Sequence, residues 1–151
     1  MLPEIITAED FPNIDRKNKT VVFTNGCFDL LHEGHLYLLR EAKKHGSLLI
    51  VGLNTDNSVR RLKGAGRPVE NEKKRAEKIA TVPEVDHIVL FDEDTPAVLI
   101  EKLQPDVLVK GGDYTEDTII GAETVINRGG KVVIIPLLEG FSTTRLISDI
   151  E

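Results

Sequence analysis

The hydrophobic positions of this chain fall into five short unbroken runs, at 21–24, 48–53, 87–91, 107–109 and 132–135, rich in Val, Ile and Leu. Runs this short and β-branched read as strands covered on both faces. Between them, apolar residues recur at helical spacing. Leu36, Leu38, Leu39 and Ala42 form one stripe, ending near His45-Gly46, and Ala76, Ile79 and Ala80 form another. Leu99, Ile100 and Leu103 make a third, opened by the cap-and-proline pair Thr95-Pro96 and stopped by Pro105. A fourth, Ala122, Val125 and Ile126, ends at Gly129-Gly130. Strands alternating with helices imply right-handed crossovers. The fold expected is therefore α/β, a Rossmann-like doubly wound sheet of about five parallel strands. A single domain is expected over 1–151, with 21–151 as its core. Residues 1–20 read as a lead-in containing a short polar helix or turn at 7–16.

Ligands of an open α/β sheet bind beyond the carboxyl ends of its strands, and the polar motifs of this chain gather there. The first strand runs into Asn25 and then Gly26-Cys27-Phe28-Asp29-Leu30-Leu31-His32-Glu33-Gly34-His35, which opens a helix. Two histidines suit that place poorly as cations, because a helix N-terminus already carries roughly half a positive charge. They suit it well if an anion lies between them, since free N–H groups, the helix dipole and two imidazoles together bind phosphate. The second strand leads to Asn54-Thr55-Asp56, which reads equally well as a helix cap with an Asx turn or as a ligand contact. The fourth leads to Lys110-Gly111-Gly112-Asp113-Tyr114, where glycines permit close approach of a ligand to the backbone. The fifth leads to Glu139-Gly140-Phe141-Ser142-Thr143-Thr144-Arg145. Ser142 would cap a last helix there, and Thr143, Thr144 and Arg145 would offer a second phosphate contact.

Composition narrows the choice. A net charge of −6 argues against a general nucleic-acid binder, and no apolar run approaches the roughly 20 residues that span a bilayer. The acidic N-terminus lacks the marks of a signal peptide, so a cytoplasmic protein is expected. Cys27 is the only cysteine and reads as a small apolar filler. Arg60, Arg61, Lys63 and Arg67 cluster beside Gly64, Gly66 and Pro68, which places them on a loop suited to a small phosphorylated ligand. Lys73 and Lys74, interleaved with Glu72 and Glu77, read as a solvated helix face.

The stretch 26–35 resembles the HxGH signature of the cytidylyltransferase-like nucleotidyltransferases, Gly-x-Phe-Asp-x-x-His-x-Gly-His, and meets every fixed position. Further stretches resemble one branch, the heptose 1-phosphate adenylyltransferases of ADP-heptose synthesis. They are Arg-Leu-Lys-Gly at 61–64, Arg67-Pro68, Arg75, Val85-Asp86, Asp94-Thr95-Pro96, Pro105-Asp106, 109–114 and 139–144. The helix after Arg75 departs from the branch in reading Lys-Ile-Ala-Thr-Val. In that branch the activity often forms half of a fusion with a sugar kinase. The resemblance implies a stand-alone form here, served by a separate kinase, and leaves room for a homodimer.

The reaction implied is attack of a sugar 1-phosphate oxygen on the α-phosphorus of ATP, releasing pyrophosphate. His32, His35 and Lys110 would be catalytic. Asn25, Gly26, Cys27, Phe28, Gly34, Gly111, Gly112, Asp113, Ser142, Thr143, Thr144 and Arg145 would hold the nucleotide. Asp29, Asn54, Asp56, Lys63, Arg67 and Arg75 would surround the sugar phosphate, Asp29 chiefly by buttressing the loop. Mg²⁺ would come bound mainly through the nucleotide phosphates, with no metal ligand from the protein. A glycerol-3-phosphate-type cytidylyltransferase shares HxGH and the Ser-Thr-Thr ending and is the nearest rival. A nucleotide-binding regulatory module without turnover is the rival from another class.

Overall fold

The computed structural model describes residues 4–6, 18–112 and 118–136. Six strands form one sheet: β1 (Glu4–Ile6), β2 (Val21–Gly26), β3 (Leu48–Asn54), β4 (His87–Phe91), β5 (Val107–Gly111) and β6 (Lys131–Ile135). Their order is β1-β4-β3-β2-β5-β6, and every pairing is parallel. The five expected strands are all present. The sixth, β1, lies at the edge against β4, in register from Glu4↔His87 to Ile6↔Val89. It falls within the stretch expected only as a lead-in, while the turn or helix expected at 7–16 lies outside the described residues.

Five helices connect the strands: α1 (Glu33–Lys43), α2 (Asp56–Lys63), α3 (Glu72–Ala80), α4 (Ala97–Leu103) and α5 (Ala122–Asn127). The strands read as continuous apolar runs because alternate side chains enter two separate cores. Val22, Leu49, Val51, Leu53, Ile88, Val107 and Val109 pack on one face with Leu39 and Ala42 of α1 and Ala76 and Ile79 of α3. Val21, Phe23, Ile50, Val89 and Leu108 pack on the other with Leu99, Ile100 and Leu103 of α4 and Ala122 and Val125 of α5.

Three local expectations shift. The cap of α4 is Pro96 rather than Thr95, and Pro96 offers no side-chain bond; the helix starts one residue later than its proline suggested. Ile126, expected inward, is 42% exposed, because α5 spans six residues and turns only Ala122 and Val125 to the sheet. The basic cluster at 60–63 stands on the last turn of α2 rather than on a loop. Cations are favoured there by the helix dipole, and Gly64, at φ 95°, ends the helix.

Two residues of the resemblance prove to be fixtures of the sheet. The Asp86 carboxylate accepts from Leu49 N–H at 2.7 Å, and that of Asp106 accepts from Val21 N–H at 2.8 Å. Each supplies an acceptor to the opening of a neighbouring strand, at the end of the sheet opposite the HxGH motif.

Candidate active site

From β2 the chain winds outward through β3 to β4, then crosses back to β5 and β6 on the other side. The crevice of such a sheet opens where the winding reverses, between the carboxyl ends of β2 and β5. Asn25 and Gly26 end β2, and Lys110 and Gly111 end β5. Lys110 and Gly111 are half-buried. Gly112 follows at φ 112°, a backbone conformation that favours glycine, and donates to the Ile135 carbonyl at 3.0 Å.

At the start of α1 the two histidines are locked by the backbone. His32 is the N-cap, and its Nδ1 accepts from Gly34 N–H at 3.0 Å. His35, three residues on, accepts at Nδ1 from His32 N–H at 3.2 Å. This is a capping box built from imidazoles in place of the usual hydroxyl and carboxylate. The rings stack with centroids 3.9 Å apart and planes 23° from parallel, and Phe28 packs edge-on against His35 at 5.3 Å. A nitrogen that accepts a hydrogen bond carries no proton, so each ring is held as the neutral Nε2–H tautomer. Each ring thus keeps its donor on the side away from the backbone.

The turn between β2 and α1 is strained. Phe28 and Leu30 have φ of 47° and 55°, a region that costs a side-chain-bearing residue roughly 1–2 kcal/mol. Strain of this kind persists only when the surroundings over-determine it. Asp29, fully buried between the two, accepts from Val69 N–H at 2.7 Å, Glu70 N–H at 3.0 Å and Arg67 Nε at 3.1 Å. Burial pushes its carboxyl upward, but the two backbone N–H groups and the Arg67 guanidinium outweigh that and hold it below the ordinary aspartate value. Both carboxylate oxygens are bound within the protein, so the bonds of Asp29 describe a buttress rather than the substrate contact also expected of it.

Arg75, expected beside the substrate, is instead fully buried and donates to four protein acceptors. Asp56 takes one of those bonds at 2.8 Å, and its own N–H donates to Glu72. Asn54, also buried, donates through Nδ2 to Ser58 Oγ at 3.0 Å. The cap of α2 is Thr55, which accepts from Ser58 N–H. Asn54 and Asp56 therefore have structural bonds of their own, and the cap reading describes this turn better than the ligand reading. Within the basic cluster, Arg60 bonds Asn57, and Arg61 pairs with Asp94 and Asp92. Lys63 is half-buried at the end of α2, and Arg67 lies beside Asp29.

The buried side chain of Cys27 fits the filler role. Asp113, Ser142, Thr143, Thr144 and Arg145 lie outside the described residues. Among the described residues no three His, Cys, Asp or Glu side chains gather as metal ligands, and no helix is long and apolar enough to cross a membrane. The bonds of Arg75 were the feature that sequence reasoning missed. An arginine beside Lys73 and Lys74 gives no sign of facing inward, apart from its place one residue before the apolar Ala76.

Comparison with known proteins agrees with this geometry. Residues 23–148 match the family described as cytidylyltransferase-like. The bifunctional protein HldE of Syntrophotalea carbinolica is 54% identical over 89% of this chain, and that of Gluconobacter oxydans is 58% identical over 87%. This chain spans 28% of the length of each. Among solved structures, a lipopolysaccharide core biosynthesis protein from Thermoplasma volcanium superposes with a TM-score of 0.63 at 28% identity, covering 80% of this chain and 97% of that one. A pantothenate synthetase from Thermus thermophilus, at 14% identity and TM-score 0.65, covers 91% of this chain and 62% of its own, and shares the fold alone.

Proposed function

Because the chain belongs to the cytidylyltransferase-like family, we propose that it transfers the AMP part of ATP to D-glycero-β-D-manno-heptose 1-phosphate, giving ADP-heptose and pyrophosphate for lipopolysaccharide core precursors. The observation that carries this reading is the pair of neutral imidazoles at the start of α1, each with Nδ1 occupied by a backbone N–H. Their Nε2–H groups belong to a helix N-terminus beyond the carboxyl end of a central strand, a setting that suits a phosphate. The HldE relatives, called bifunctional, support a second activity in the length this chain does not span, and a kinase supplying the sugar 1-phosphate fits that role.

The nucleophile is a phosphate monoester, whose second pKa of about 6 leaves it anionic near neutral pH. No general base is needed. The chain's task is to align the two phosphates and to stabilise the charge that builds at the α-phosphorus. His35 and His32 donate to non-bridging oxygens, Lys110 adds a cation from the end of β5, and Thr143 and Arg145 hold the departing phosphates. Mg²⁺ supplies charge neutralisation when bound. The motif's own carboxylate is committed to Val69, Glu70 and Arg67, so phosphate oxygens and water are its natural ligands.

Lys63 is assigned to the sugar phosphate. Lys63→Ala is expected to raise the KM for that substrate by about tenfold or more, the value of a charge-assisted bond, with a smaller change in the KM for ATP. Equal changes for both substrates, or a change confined to ATP, would contradict the assignment.

Base choice rests on the resemblance at 61–64 and 109–114. ATP is expected to be preferred to CTP by a factor of about 10² or more, since a site hydrogen-bonded to one base leaves buried groups unpaired with another. The experiment is kcat/KM for both nucleotides, with heptose 1-phosphate and with glycerol 3-phosphate. Greater efficiency with CTP and glycerol 3-phosphate would replace the adenylyl assignment with a cytidylyl one.

A further inference from the structure

Arg75 sits on α3, whose other inward residues serve only the core, yet its side chain joins three separate segments of the site through four acceptors. Nε donates to the Glu70 carbonyl at 2.9 Å. Nη1 donates to the Cys27 and Asn54 carbonyls, both at 2.8 Å, and Nη2 to Asp56 Oδ1 at 2.8 Å. The register of β2 and β3 ends at Gly26↔Leu53. The carbonyls of Cys27 and Asn54 are therefore the first ones past the paired strands, and one guanidinium nitrogen takes both. Glu70 closes a ring: its carbonyl accepts from Arg75, and its N–H donates to Asp29. The strained turn from Phe28 to Leu30 is thereby held from both sides, at Cys27 by Arg75 and at Asp29 by the backbone of 69–70.

We propose that Arg75 is a positioning residue for the phosphate site: through the Cys27 carbonyl and the Glu70–Asp29 link it fixes where α1 begins, and so where the two imidazoles present Nε2–H. The inference rests on the phosphate-binding reading of His32 and His35. A planar guanidinium can serve four acceptors at once, whereas a lysine ammonium at the same place is a point charge that cannot span them. Displacement of reacting groups by about 1 Å can cost 10²-fold in rate.

The test is Arg75→Lys in the full chain, compared with wild type at a temperature where circular dichroism shows both folded. Turnover per folded molecule is expected to fall about tenfold or more, with the KM for ATP within about threefold. The imidazole ¹⁵N spectrum is expected to change too, from a single Nε2–H tautomer at His32 and His35 in wild type to mixed tautomers in the variant. Should Arg75→Lys not fold, Asp56→Asn removes the ion pair and keeps the three carbonyl bonds. It is expected to move the same two readouts in the same direction by a smaller amount. Wild-type turnover per folded molecule together with unchanged tautomers would reduce Arg75 to a stabiliser of the fold and overturn the proposal. If wild type itself transfers no adenylyl group, the transferase reading falls, while the tautomer comparison still decides the role of Arg75.

Discussion

His35→Ala is expected to lower turnover by about 10² or more, the loss that follows removal of one preorganised donor from developing charge. His35 is 4% exposed, accepts from His32 N–H and packs against Phe28, so the substitution also has a stability cost. That cost is expected at about 1–2 kcal/mol, for one capping bond and one aromatic contact. The two effects separate in measurement. A thermal melt reads the second, and turnover well below the melting temperature reads the first. A folded variant with wild-type turnover would remove His35 from the chemistry.

The largest stability effect is expected at Asp29. Asp29→Ala leaves two backbone N–H groups and the Arg67 guanidinium without their shared acceptor in a buried turn. Removing one partner of a buried charge pair costs about 3–5 kcal/mol, and urea unfolding of the variant reads it. A loss below about 1 kcal/mol, the range of an exposed ion pair, would contradict the buttress role. The same carboxylate links stability to pH. Its folded-state value lies below that of the unfolded chain, so its contribution is fully present above the unfolded value of about 3.9 and is lost as pH falls through the lower folded one. Asp29→Asn should flatten the wild-type loss of stability in that acid range.

The parts of this fold legible in the sequence are those fixed by burial on both faces. The five long strands read as unbroken Val, Ile and Leu runs because adjacent residues such as Val22 and Phe23 enter opposite cores. β1 did not read as a strand, since three residues at a sheet edge carry too little pattern. α2 read only as a possible cap at 54–56, without its extent, because among its eight residues only Ser58 and Val59 are buried and its last turn is basic. The two histidines at the start of α1 stood out in the sequence because the motif at 26–35 meets every fixed position directly after a strand; the fold sets them there as a capping box. Arg75 and Asp56 read as ligand contacts because an internal ion pair and a binding residue use the same side chains; only the fold brings the segments at 27, 54–56 and 70 together on one guanidinium. Asp86 and Asp106, which belong to the same resemblance, secure the openings of β3 and β2.

The central claim is that the anion between the histidines is the triphosphate of ATP and that its α-phosphorus is attacked. The most direct measurement follows two labels, one at the α-phosphorus and one at the γ-phosphorus of ATP, with heptose 1-phosphate as acceptor. The α label is expected in the nucleotide sugar and the γ label in pyrophosphate, with both signals abolished or greatly reduced in His35→Ala. Appearance of the γ label on the sugar, or pyrophosphate release that is unchanged in that variant, would contradict the account.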